Sequence, residues 1–203
     1  MKHWLIAGLL AMMAFPVQAL VERFVEGTHY QIVGDVNAPK PDKPVVVEFF
    51  SYGCPHCEHL EPHLMAWHAK NKNAIQFERV PAQWNGYFAL LAKLYLALEQ
   101  MGVAEEFSGK VFDYIHTQRK SLRQEAEVMA LVKDELGLDA AKFKAAWESD
   151  AVAEGLQAAG DALREYRVSG VPALVINGRY YVSVKLAGSE DAMFDVVDFL
   201  LQK

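Results

Sequence analysis

The pattern of apolar and polar residues predicts strands on either side of a long helical segment. Residues 45–50 (VVVEFF) are almost continuously apolar and rich in β-branched and aromatic side chains, which is typical of a central strand covered on both faces. A neighbouring strand is predicted for residues 75–80. Towards the C-terminus, residues 173–176 and 179–182 flank Asn177-Gly178, a dipeptide typical of a tight hairpin turn.

Residues 85–166 have helical spacing of apolar positions, with no strand signal among them. Helices are predicted for residues 87–101, 105–118, 125–136, 140–147, 151–166 and, at the end of the chain, 189–201. The sequence therefore predicts an α/β protein with a helical insertion at 85–166. The insertion divides a strand-rich unit into residues 20–84 and 167–203.

Residues 1–19 have the features of a secretory signal peptide. Lys2 gives a positive start, residues 4–15 form an apolar run, and residues 17–19 (VQA) supply small residues at a cleavage point. The run is shorter than the about 20 apolar residues that a membrane-spanning helix needs. We therefore expect cleavage after Ala19 and a mature chain that works outside the cytoplasm, where disulfides persist.

Composition narrows the possible functions. Hydrophobic residues make up 52% of the 203 residues, which is ample for a core that needs no covalent staples. The formal net charge is −6 and the chain has no basic block, so we expect no nucleic-acid role and no docking on an anionic membrane. A monomer without a cofactor is expected.

The only two cysteines, Cys54 and Cys57, lie in the segment SYGCPHC and have three possible roles. As a structural staple they would close a ring of about four residues, worth roughly 2 kcal/mol against roughly 4 to 5 kcal/mol for a long loop. As half of a zinc site they would join His59 and His63, but the chain has no second cysteine pair. A helix would also point Cys57 and His59 about 200° apart. A reacting pair is therefore favoured.

The local sequence supports a reacting pair. A turn after the strand 45–50 leads into a helix that begins near Cys54, and Pro55 suits the first helical turn, where a missing N–H costs nothing. The helix N-terminus stabilises a thiolate at Cys54 and lowers its pKa, and His56 can add a hydrogen bond or positive charge. Cys57, one turn inside the helix, is expected to be buried and to remain a thiol. Cys54 is then the exposed, attackable sulfur and Cys57 the resolving one.

The segments VEFFSYGCPHC (47–57) and GVPALVINGRYYV (170–182) together resemble the DsbA family of exported thiol oxidases in the thioredoxin superfamily. The resemblance covers essentially the whole mature chain. It implies a thioredoxin fold with an inserted all-helical domain. It also implies a periplasmic enzyme that donates a Cys54–Cys57 disulfide to reduced, unfolded exported proteins, with a DsbB-like membrane quinone reductase to reoxidise it.

Other site residues are open to two interpretations each. Pro172 can simply mark the start of a strand, whereas the resemblance implies a cis Val171-Pro172 bond facing the cysteines and backbone groups that pair with substrate. Glu48 is either a carboxylate satisfied elsewhere or a buried acid that helps to move the proton of Cys57. Arg79, on the neighbouring strand, is its candidate partner. Glu61 either tunes the site or lies on a solvated helix face.

Two rival functions use the same sequence features. A disulfide isomerase or reductase has the same chemistry but must be kept reduced. Residues 20–44 are too few for the N-terminal dimerisation domain that isomerase relatives carry, which favours the oxidase. The second rival is a metal-binding or chaperone-like module that uses the helical segment as a binding surface and has no enzymatic activity.

Overall fold

A mixed β-sheet forms the centre of the fold. The structure is a computed structural model that describes residues 23–203, so the predicted signal peptide, residues 1–19, lies outside the described residues. Within the described part, five strands pair in the order β1-β5-β4-β2-β3. They are β1 (Gln31–Ile32), β2 (Val45–Phe50), β3 (Gln76–Pro81), β4 (Ala173–Ile176) and β5 (Tyr180–Ser183).

Strand β2 lies inside the sheet, parallel to β3 and antiparallel to β4. Its side chains alternate between the two faces. Val46 joins a cluster with residues of the first and last helices, whereas Val47 and Phe49 join a cluster on the other face. A strand covered in this way has no solvent face, which explains the continuous apolar run in the sequence.

The helices cover both faces of the sheet. Their bounds are α1 (Pro55–Asn71), α2 (Gly86–Gln100), α3 (Ala104–Phe112), α4 (Glu125–Ala130), α5 (Ala140–Trp147), α6 (Asp150–Glu165), α7 (Val184–Ala187) and α8 (Glu190–Gln202). Helices α1 and α8 pack on one face through a shared apolar cluster. Helices α2 to α6 connect β3 to β4, as predicted for the insertion.

The structure differs from the sequence prediction in several short elements. The predicted helices 105–118 and 125–136 each finish in a π-helical turn, Asp113–Thr117 and Leu131–Glu135. A π turn keeps the helical spacing of apolar residues nearly intact, so the pattern does not reveal it. Strand β1, with 2 residues, and helix α7, with 4, are too short to show any period.

The β4–β5 hairpin has the predicted turn. Asn177 and Gly178 both have positive φ, at 52° and 66°, and Arg179 N–H donates to the Ile176 carbonyl at 2.9 Å. This turn brings β5 back along β4. Because β4 is antiparallel to β2, Pro172 at the start of β4 lies at the sheet edge where β2 ends. None of the helices in residues 23–203 is long and apolar enough to cross a bilayer.

Candidate active site

The two cysteines lie at the start of α1, directly after β2. Cys54 is the N-cap residue, with φ −100° and ψ 114°, and Pro55 occupies the first helical turn, as predicted. The Cys54 N–H donates to the Ser51 carbonyl at 3.0 Å, and the Cys54 carbonyl accepts the N–H of Cys57 at 3.0 Å. This turn fixes Cys54 at the N-terminus of the helix and Cys57 one turn inside it.

Both cysteines are free thiols, and their environments differ. Cys57 is 0% exposed, as expected, but Cys54 is only 8% exposed and so less open than the sequence predicted. The Val171 carbonyl oxygen covers part of it, at 3.4 Å from the Cys54 Sγ, and accepts a hydrogen bond when Cys54 is protonated. Cys54 also belongs to the apolar cluster of the helical insertion, which sequence reasoning did not anticipate.

The acidity of the two thiols is strongly asymmetric. A hydrogen bond from the Cys57 thiol lowers the pKa of Cys54 to about 6, although burial opposes this change. The backbone N–H groups of Cys57 and His56 and the charge of His56 act in the same direction. Burial raises the pKa of Cys57 far above its usual range, and the hydrogen bond to Cys54 and the charge of Cys54 raise it further. At neutral pH, Cys54 is therefore a thiolate and Cys57 a thiol.

The loop before β4 faces the cysteines. The Val171-Pro172 peptide bond is cis, as the family resemblance implied. Both residues line a pocket of about 430 Å³ whose wall also includes His56, Tyr181 and Lys185. The pocket therefore adjoins the helix N-terminus through His56 and the Cys54 sulfur through Val171, whose carbonyl lies 3.4 Å from it.

Beneath the cysteines lies a buried cluster of ionisable groups. Glu48 and Arg79 are direct partners in the β2–β3 register, and the Arg79 Nε donates to the Glu48 Oε2 at 2.5 Å. The two terminal nitrogens of Arg79 donate to both oxygens of Glu61, at 3.1 and 2.6 Å. One of them also donates to the Ser108 Oγ at 3.0 Å. The candidate Glu48–Arg79 pair is therefore present, and Glu61 is a buried partner of Arg79 instead of a solvated residue.

The pKa of the Glu48 carboxyl is shifted to near neutral pH. Complete burial raises the pKa of Glu48 to about 7, although the Arg79 charge lowers it; the Glu61 charge adds to the rise. The charge of Glu48 in turn raises the pKa of Cys57, so the two groups are in electrostatic contact. A carboxyl with this pKa can accept a proton from a nearby thiol and return it.

The two histidines of the candidate zinc site, His59 and His63, do not converge with the cysteines on a metal position. The His59 Nδ1 lies 2.9 Å from the Glu190 Oε1 on α8, and His63 is exposed. Within residues 23–203, no group of three or more His, Cys, Asp and Glu side chains could hold a metal ion.

Two contacts from the insertion were missed by sequence reasoning. Ser108 on α3 binds Arg79, and the His116 Nε2 lies 2.8 Å from the carbonyl oxygen of Tyr52, two residues before Cys54. A serine and a histidine within amphipathic helices give no signal of such contacts, because these depend on how the insertion packs against the sheet.

A thiol:disulfide oxidoreductase of the thioredoxin superfamily requires two different thiols. One must leave as a thiolate, and the other must keep its proton. The thioredoxin family profile matches residues 28–90, and the DSBA-like thioredoxin domain profile matches residues 72–198. The chain belongs to the DsbA family of thiol:disulfide interchange proteins. It is a protein thiol:disulfide oxidoreductase.

Known proteins support this assignment along the whole chain. The thiol:disulfide interchange protein DsbA of Pseudomonas aeruginosa is 31% identical over 100% of this chain and 97% of its own length. That of Azotobacter vinelandii is 35% identical over 83% of this chain and 78% of its own. The crystal structure of Pseudomonas aeruginosa DsbA superposes with a TM-score of 0.83 at 31% identity, covering 90% of this chain and 95% of that one. The predicted fold class, a thioredoxin fold with a helical insertion, is confirmed.

Proposed function

We propose that this protein introduces disulfide bonds into reduced exported proteins by donating a Cys54–Cys57 disulfide. The observation that carries the proposal is the asymmetry of the two thiols: the pKa of Cys54 is held at about 6, while that of Cys57 is raised. A stabilised Cys54 thiolate favours the reduced enzyme and so drives the disulfide out to the substrate.

The reaction has two exchange steps. A substrate thiolate attacks the Cys54 sulfur, the Cys54–Cys57 bond breaks, and Cys57 leaves with the electron pair and takes up a proton. A second substrate thiolate then attacks the substrate sulfur of the mixed disulfide and expels Cys54 as a thiolate. The substrate loses two electrons and gains a disulfide, and the cysteine pair holds those electrons.

The neighbouring residues support these steps. We assign His56 and Pro55 to the stabilisation of Cys54, since Pro55 starts the helix and the charge and N–H of His56 lower the Cys54 pKa. Glu48 is assigned to proton exchange with Cys57. The buried position and the pKa of about 7 support that role.

The Val171-Pro172 loop is assigned to substrate binding. The contact between the Cys54 sulfur and the Val171 carbonyl, together with the adjoining pocket, supports this role. An extended substrate segment would pair with the loop backbone while its cysteine is joined to Cys54.

The proposal includes a compartment, a partner and a division of the chain. A signal peptide at residues 1–19 directs the chain to the periplasm, and a DsbB-like membrane quinone reductase removes the two electrons. Residues 20–84 and 167–203 form the thioredoxin-like domain, and residues 85–166 form the helical insertion. The position of α2 to α6 between β3 and β4 supports this division.

The test is turnover on a reduced, unfolded disulfide protein with glutathione disulfide as the terminal oxidant. Catalytic amounts of this protein are expected to accelerate disulfide formation, and Cys54→Ser to abolish the acceleration. The exposed Lys142→Gln variant is the matched control and keeps full activity. Acceleration of disulfide reduction or shuffling alone, without net oxidation, would support the reductase or isomerase instead.

A further inference from the structure

A row of aromatic rings borders the active site on the side of the insertion. The Trp84 and Phe88 ring centroids are 6.1 Å apart, and those of Phe88 and Tyr87 are 6.0 Å apart. The guanidinium carbon of Arg123 lies 5.2 Å from the centroid of the Tyr87 ring. We call these four residues the aromatic ridge. Trp84 is 45% exposed, which is unusual for so large an apolar side chain.

The ridge contacts the backbone directly before Cys54. A Cβ atom added to Gly53 would lie 2.7 Å from a carbon of the Tyr87 ring and 3.2 Å from one of the Phe88 ring. The glycine therefore allows both rings to lie against the main chain of the active-site turn. The ridge shares no residue with the wall of the pocket beside Val171 and Pro172. The ridge is therefore a second surface beside the active-site turn, in addition to the pocket wall.

Arg123 gives the ridge an exposed positive charge, which the nearby Glu127 carboxylate attracts without forming a close ion pair with the guanidinium. Among residues 23–203, no carboxylate lies within 4.0 Å of the Arg123 guanidinium. The nearby Glu127 carboxylate instead accepts the backbone N–H groups of Arg123 and Gln124, at 2.6 and 3.1 Å. Leu122, which is 1% exposed, anchors this loop in the apolar cluster that contains Cys54. The cation is thus held in place beside the site.

We propose that the aromatic ridge is a second substrate-contact surface, and that it favours polypeptide segments with an acidic residue near the reacting cysteine. The proposal rests on the disulfide-donating function above and specifies its substrates. The exposed Trp84 ring and the half-buried Tyr87 and Phe88 rings contact apolar side chains of the segment, and Arg123 pairs with the acidic residue. Aromatic residues next to an arginine are a combination typical of protein-binding surfaces.

The experiment uses pairs of dithiol peptides that differ only in Asp or Lys, placed two or four residues before or after a cysteine. The rate at which each peptide reduces the oxidised protein is measured for the wild type, Arg123→Gln and the matched control Lys142→Gln. Because a neighbouring charge changes the thiol pKa of the peptide itself, the quantity compared is the Asp-to-Lys rate ratio in each variant relative to wild type.

Arg123→Gln is expected to lower the Asp-to-Lys ratio by about three- to fivefold at one or more positions, as for a partly exposed ion pair. Lys142→Gln is expected to leave the ratio unchanged. A ratio that Arg123→Gln does not alter at any position would overturn the proposal. Oxidation of dithiothreitol by the wild type separates this failure from a failure of the proposed function, because it requires the cysteines but no peptide contact.

The apolar part of the ridge is tested with Trp84→Ala and peptides that carry Leu or Ser beside the cysteine. The variant is expected to lose most of the preference for Leu. Val36→Ala, which also shortens an exposed apolar side chain, is the matched control and keeps the preference. Equal preference in wild type and Trp84→Ala contradicts a binding role for the ring. Melting curves of each variant establish that a lost preference is not a loss of folding.

Discussion

Two residues of the same type, one helical turn apart, have opposite acid–base behaviour in this protein. Cys54 occupies the N-cap position, where the Cys57 thiol and the backbone N–H groups of Cys57 and His56 lower its pKa, whereas Cys57 is completely buried. Position along the helix therefore determines which thiol is the more acidic, and the proposed roles of the two cysteines follow from that difference. At the residue scale, the account depends on this contrast and on the buried acid Glu48.

Alkylation of the reduced protein tests the contrast. Cys54 is expected to react with iodoacetamide along a titration curve with its midpoint near pH 6, because only the thiolate is nucleophilic. Cys57 is expected to remain unlabelled in the folded protein up to pH 8, and mass spectrometry of the digested protein distinguishes the two sites. Equal labelling of both cysteines, or a midpoint above pH 8, would contradict the assignment of roles.

Glu48→Gln tests the buried acid through stability. The folded-state pKa of Glu48 is raised to about 7, so the unfolded chain loses this proton before the folded chain does. Glu48 therefore lowers the free energy of unfolding of the wild type; this destabilisation is absent below the unfolded-state pKa and complete above the folded-state pKa. Relative to wild type, Glu48→Gln is expected to be more stable by about 2 kcal/mol more at pH 8 than at pH 5. Urea unfolding at the two pH values measures this difference, and a gain that is the same at both would refute the raised pKa.

At the scale of elements, Arg79 connects three parts of the fold. It extends from β3 to Glu48 on β2, to Glu61 on α1 and to Ser108 on α3 of the insertion. Its guanidinium carbon also lies 4.2 Å from the centroid of the Phe50 ring. The two carboxylates on either side of it are buried, so their charges depend on this one cation.

Arg79→Leu is expected to destabilise the protein by about 3 to 5 kcal/mol at pH 8, because it leaves two buried carboxylates without their cation. The loss is expected to be smaller at pH 5, where Glu48 is protonated. Arg79→Lys keeps the charge but loses the paired hydrogen bonds to Glu61, so an intermediate loss is expected. Denaturant unfolding of both variants gives the values; a loss within 1 kcal/mol for Arg79→Leu at pH 8 would contradict the ion cluster.

Most of the elements were predictable because they have a strong period or distinctive ends. Strand β2 and helix α5 have the predicted bounds, and α8 begins one residue after the predicted start, with Ser189 as its cap. The π turns and the two-residue strand β1 could not be predicted, because they involve too few residues to change the spacing of apolar positions.

The whole molecule shows why the site was only partly predictable. Cys54, Pro55, His56 and Cys57 are adjacent in sequence, so their spacing, with the predicted strand before them and the helix after them, favoured a reacting pair. Ser108 and His116 come to the site from the insertion, and their positions depend on the packing of the insertion against the sheet. No local pattern encodes that packing. The exposure of Cys54 was overestimated for the same reason, because the covering residues are remote in sequence.

The central claim is that a stabilised Cys54 thiolate drives the disulfide from this protein to its substrates. Its most direct test is the difference in unfolding free energy between the reduced and oxidised forms from pH 5 to pH 8. The folded-state pKa of Cys54 is lowered to about 6, so the stabilisation of the reduced form is complete above the unfolded pKa and is lost as the pH falls through 6. The same measurement on Glu48→Gln removes the contribution of Glu48 titration.

The reduced form is expected to gain about 2 kcal/mol relative to the oxidised form between pH 5 and pH 8. The entropic effect of closing so short a disulfide ring is roughly 2 kcal/mol and does not depend on pH. The test is therefore how the difference in unfolding free energy between the two forms changes with pH, and not which form is more stable at one pH. A difference that stays constant across this range, or that favours the oxidised form increasingly as the pH rises, would contradict the stabilised thiolate and the function built on it.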